Sequence, residues 1–182
     1  MKIVFAALLL FSLGTLSASA QFDNTSSANR PTPPSANSPI PPPLLTAKSV
    51  FISNAGGASG LFPQPFSGGP DRGYAQFYAA VKAWGKYTIV DDPAKADLVF
   101  QIKLAAPVGA AKGSKEYGAA DPLPEFELVI FQQSTHYILW ALTESIDVAV
   151  LQKTHDKNFD LALGTLVSDL KQVVLRPLPP NS

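Results

Sequence analysis

Two stretches of this chain place their large apolar side chains on one helical face. In the first, Tyr74, Phe77, Tyr78, Val81 and Trp84 fall at i, i+3, i+4, i+7 and i+10; in the second, Phe159, Leu163, Leu166, Leu170 and Val173 fall at i, i+4, i+7, i+11 and i+14. At 3.6 residues per turn each set is a continuous stripe. Asp71 has N-cap chemistry for the first helix and Gly85 stands where a helix ends. The second helix is expected to begin at Asp156 and cannot pass Arg176-Pro177. A one-sided helix must lay its stripe on another surface, and the remaining periodic runs supply one.

Those runs read as strands. Residues 49–53 form a short β-branched and aromatic run, and residues 86–91 alternate around Tyr87, Ile89 and Val90 before Asp92-Pro93 caps a helical turn. Residues 97–104 interleave Leu98, Phe100, Ile102 and Leu104 with Asp97, Gln101 and Lys103, which puts one face on the core and leaves the other partly wet; Val99 interrupts the alternation. Residues 126–131 and 137–146 pair as a hairpin across Gln133-Ser134-Thr135-His136. The order strand, helix, four strands, helix predicts an α+β fold: a mixed β-sheet of about five strands with two helices packed on one face. Trp84 and Trp140 lie on the periodic apolar faces and read as core residues.

The first twenty residues carry a different message. Lys2, the apolar run 3–13 and Ala18-Ser19-Ala20 have the layout of an export signal. As a helix the run would reach roughly 16 Å, about half of a ~30 Å hydrocarbon core, so no transmembrane segment is expected in the mature chain. Residues 21–44, with Pro31, Pro33, Pro34, Pro39, Pro41, Pro42 and Pro43, read as a disordered spacer; residues 45–176 form a single α/β domain and 177–182 a disordered tail. Cysteine is absent, so neither a lipid-bearing thiol nor a disulfide is available, and the expected location is secreted or periplasmic. The formal charge is zero and becomes about −1 without Lys2, with no basic stripe, which argues against nucleic acid as a partner.

Reactive constellations are scarce. Two long loops, 54–70 and 106–124, are rich in glycine, but Gly56-Gly57-Ala58-Ser59-Gly60 lacks the lysine of a phosphate-binding loop, and in Gly109-Ala110-Ala111-Lys112-Gly113-Ser114-Lys115 the spacing is one residue short. Ser168 and Lys171 match S-x-x-K only by position, late in a helix. His136 reads as a hairpin residue and His155 as an exposed residue ahead of the last helix; neither has a partner at metal-ligand spacing. No catalytic, cofactor-binding or metal residue is assigned, and no cofactor is expected. The alternative is a hydrolase or small-ligand-binding protein built from loops 54–70 and 106–124, with Ser59, Asp71, Arg72 or Glu116 contributing.

The run Gly85-Lys86-Tyr87-Thr88-Ile89-Val90-Asp91-Asp92-Pro93-Ala94-Lys95-Ala96-Asp97-Leu98-Val99 resembles the helix–strand–alanine-aspartate–strand segment of bacterial envelope domains related to the amino-terminal domain of TolB. Thr135 followed by Ile138-Leu139-Trp140 is similar to the threonine-to-tryptophan hairpin of exported lipoproteins of unknown function, with Gln132 or Gln133 where an aspartate usually opens the turn. The resemblance implies a non-catalytic envelope module that acts by binding; together with the export signal, the expectation is an exported, soluble, non-catalytic envelope or secreted module that binds an unknown protein or envelope component. Self-association through an open sheet edge is a further expectation.

Overall fold

Alternation along the strands decides the layering. The computed structural model describes residues 38–107 and 124–176. The expected export signal, most of the spacer, the tail, Glu116 and most of loop 106–124 lie outside the described residues. In chain order the elements are α1 (Pro42–Thr46), β1 (Ser49–Gly57), α2 (Arg72–Trp84), β2 (Thr88–Ile89), β3 (Leu98–Ala105), β4 (Glu125–Gln132), β5 (Ile138–Ser145) and α3 (Gln152–Leu175). The strands form one mixed sheet in the order β2-β1-β3-β4-β5, with β1 parallel to β2 and β3, and β3, β4 and β5 successively antiparallel.

Val50, Ile52, Leu98, Phe100, Ile102, Leu104, Phe126, Leu128, Ile130 and Trp140 point to the same face and are buried. Onto them α2 lays Phe77 and Val81 over β1 and β3, and α3 lays Phe159, Leu163, Leu166 and Leu170 over β4 and β5. The expected α+β architecture, two helices on one face of a five-stranded mixed sheet, is therefore present. Gly85 ends α2 at φ +68°, a backbone that a side chain would strain.

Local details differ from the expectation. Asp71 does not cap α2; its carboxylate accepts from the Asn54 side-chain amide at 2.7 Å. Residues 54–57 extend β1 rather than opening a loop, and Leu61 and Phe66 in the following segment are buried in the core. α1, not expected from the sequence, brings Leu44 into the core, where the buried Tyr87 hydroxyl donates to its carbonyl at 3.2 Å. α3 starts before Asp156, at Gln152, so His155 is inside the helix and buried rather than exposed ahead of it. The reason is contact: its ring stands edge-on to Phe66 at 5.8 Å, and its Nδ1 accepts the Ala149 N–H at 3.3 Å.

Candidate functional site

Among the described residues no helix covers the second face of the sheet, and its side chains can be followed row by row. Phe51 pairs with Val99, Val99 with Phe131, and Phe131 with Ile138, so one cross-strand row is apolar over four strands. Phe51, Val99 and Phe131 are half-buried, and Ile138 at the free edge is 52% exposed. The next row runs Ser53, Gln101, Val129, Ala141; the one beyond runs Lys103, Glu127, Thr143, with the Lys103 ammonium 3.7 Å from the Glu127 carboxylate. A solvated face normally carries polar side chains throughout. Here the middle row is mixed and the far row is polar, while the first row offers two phenylalanines and two aliphatics side by side.

Beyond the apolar end, Asp97 holds the sheet together. Its carboxylate accepts the backbone N–H groups of Lys48 at 2.8 Å and Ser49 at 2.9 Å, its own N–H donates to the Ser49 hydroxyl at 2.9 Å, and its carbonyl accepts from Gln133 N–H at 3.1 Å. The two backbone donors at Lys48 and Ser49 hold the Asp97 carboxyl below the usual carboxylate range. Around it lies an open, polar cleft of about 580 Å³ lined by Pro43, Thr46, Lys48, Gln132, Gln133 and Ser134, among others. The alanine-aspartate pair of the sequence resemblance thus places a structural clamp.

Of the residues considered for a hydrolytic site, Glu116 lies outside the described residues, and Ser59, Asp71 and Arg72 have separate settings. Ser59 is exposed and opens a single 3-10 turn. Asp71 faces Asn54. Arg72 reaches across to α3, with Nη1 at 2.5 Å from Asp156 Oδ1 and Nη2 at 2.7 Å from Asp160 Oδ1, and its guanidinium lies 4.3 Å from the Phe159 ring centroid. Two carboxylates and a ring engage its charge, so Arg72 joins helices rather than presenting a free cation. Burial acts to raise the Asp156 carboxyl, but hydrogen bonds from Ser67 and Arg72 outweigh it and hold it below its ordinary value. His136 sits in the hairpin turn at φ +59°, at the opposite end of β5 from His155. Among the described residues no group of three or more His, Cys, Asp or Glu could hold a metal, and no helix is long and apolar enough to cross a membrane.

No family model and no curated protein matches the chain. Solved structures similar to it include a PelC variant dodecamer from Paraburkholderia phytofirmans, 10% identical over 81% of this chain and 96% of that one, with a TM-score of 0.42. Protein XCC0632 from Xanthomonas campestris is 14% identical over 78% of this chain and 93% of that one, TM-score 0.41. Lipoprotein GNA1162 from Neisseria meningitidis is 15% identical over 69% and 96%, TM-score 0.34. Scores of this size do not establish a shared fold, and kinship with TolB-type domains is not shown by them.

Proposed function

We propose that this chain is an exported, non-catalytic module of the cell envelope or extracellular space that binds a protein or envelope partner on its uncovered sheet face. The observation that carries the reading is the apolar row Phe51, Val99, Phe131, Ile138, continuous across four strands on a face that no helix covers among the described residues. Contiguous apolar surface beside polar surface is what interaction sites present. The engagement of Arg72 and Asp71 within the fold, and the separation of the two histidines, support binding over catalysis. The export pattern of residues 1–20 supports the location.

The test is capture from envelope and extracellular fractions with the immobilised chain and with a Phe51→Thr/Phe131→Thr variant, which replaces the rings by β-branched side chains that strands also favour. The wild-type chain is expected to retain a partner that the variant releases. Equal capture by both, or no protein, polymer or second copy bound by the wild type, overturns the reading.

A second reading has its own observation. β5 ends the sheet, its eight residues contain neither proline nor lysine, and among the described residues no strand pairs with its outer edge. Unprotected edges of this length template pairing with a second copy. Sedimentation should then detect a dimer that Thr143→Pro, at a position whose N–H faces away from β4, abolishes; a strict monomer at high concentration removes the option.

A further inference from the structure

The connection between β5 and α3 is held rigidly while its side chains point away from the body. Asp147 carbonyl accepts from the Asn158 side-chain amide at 2.9 Å, and Ala149 N–H donates to His155 Nδ1 at 3.3 Å, so two alternate residues are pinned to α3. The residues between and after the pins are aliphatic and bare: Val148 is 58% exposed, Val150 98% and Leu151 67%. Leu151 occupies the N-cap of α3, where a side-chain acceptor would ordinarily satisfy the first-turn N–H groups, and the first turn contains Lys153 and no acidic residue. Both choices oppose local helix stability. A protein that departs from a local rule in this way, on a loop it has fixed in place, marks a surface with a use.

We infer that this tip docks on a phospholipid bilayer surface, with Val148, Val150 and Leu151 entering the acyl boundary and the α3 N-terminus with Lys153 meeting headgroup phosphates. The shape selects this occupant. Val150 touches almost nothing, so the tip is convex, and a fluid interface accepts convex aliphatic side chains without a complementary pocket. The chemistry selects it too, because the uncapped N–H groups beside the trio would lose their hydrogen bonds in a dry apolar protein pocket but find phosphate oxygens at an interface. Nearby charge is slightly negative and offers no basic patch: Lys153 and Lys157 are offset by Asp147 and Glu144, and Arg72 by Asp156 and Asp160. Docking is therefore driven by apolar burial, is weak and reversible for a single chain, and depends little on salt or on lipid charge. The inference uses a different surface from the sheet-face reading and does not depend on it.

Sucrose-loaded phosphatidylcholine vesicles, with and without a quarter phosphatidylglycerol, test it by co-sedimentation of the full chain at millimolar lipid. The wild-type chain is expected to sediment with both kinds of vesicle to similar extents. Val150→Ser/Leu151→Ser should weaken binding at least about tenfold, while Leu161→Ser, at an exposed leucine farther along α3, and the Phe51→Thr/Phe131→Thr variant should bind as the wild type does. The substituted side chains at 150 and 151 are solvent-exposed, so the melting temperature serves as the check that folding is retained. Failure of the wild type to sediment with either vesicle overturns the inference, as does an equal loss in Leu161→Ser. A photo-crosslinker at position 150 that captures a discrete envelope protein, with no vesicle binding, assigns the tip to a protein partner and equally overturns it.

Discussion

Asp97 shows how much one exposed side chain can organise. Its carboxylate bonds to two backbone N–H groups at the start of β1, and its main chain bonds to Ser49 and Gln133, so the entrances of β1 and β3 and the β4–β5 turn share one residue. Asp97→Asn keeps the shape and loses the charge, and is expected to cost about 1–2 kcal/mol at neutral pH. Because the folded-state pKa lies below the unfolded one, the charged clamp stabilises above the unfolded carboxylate pKa near 4, and that contribution is lost as pH falls through the lower folded value. Thermal melts of the wild type from pH 7 to 3 should fall more steeply than those of Asp97→Asn, with the residual slope due partly to Asp156. Tyr87 gives the mirror case. Burial pushes its phenol up to about 12, so its contribution is complete below the unfolded value near 10 and disappears as pH rises through 12. Tyr87→Phe should be about 1 kcal/mol less stable at pH 7, since the Leu44 carbonyl loses its donor, and should show less of the alkaline decline between pH 10 and 12.

At the scale of elements, the junction of α2 and α3 is where small and large side chains must agree. Gly73 lies in the first turn of α2, and a Cβ there would stand 2.9 Å from the Phe126 ring, which is fully buried and meets Phe159 edge-on at 4.9 Å. Alanine would gain up to about 1 kcal/mol of helix propensity, but overpacking a ring that cannot retreat costs about 1–3 kcal/mol. Gly73→Ala is therefore expected to lower the denaturation midpoint, whereas Gly164→Ala, in α3 with open space at its Cβ, should raise it. The sequence carried the helices and strands well because their periodicities are long: the stripe from Tyr74 to Trp84 and the alternation from Leu98 to Leu104 each repeat several times. It could not show what depends on a single contact. α1 exists because Leu44 meets the core and Tyr87, and the early start of α3 rests on the fit of His155 against Phe66. The signal for the candidate face was legible but read as noise: Val99, out of phase with its strand, is a member of the apolar row, and Phe51 and Phe131 occupy the same phase in theirs.

For the molecule as a whole, the proposed function gives the two faces of one sheet separate duties. The covered face carries folding: Phe100, Leu128 and Ile130 are fully buried beneath the helices, and truncating such a side chain leaves a cavity that the surrounding packing cannot close. The apolar row of the second face contributes less to folding, since Phe51, Val99 and Phe131 are half-buried and pack laterally along the row. Neighbouring positions on β4 should therefore separate stability from binding. Leu128→Ala is expected to cost about 2–5 kcal/mol in denaturant unfolding. Phe131→Thr, three residues along and on the opposite face, should cost about 1 kcal/mol while removing most of the capture of a partner. If instead Phe131→Thr destabilises the fold as much as Leu128→Ala does, the row is a second core in use by the chain itself, and the partner must be sought on another surface.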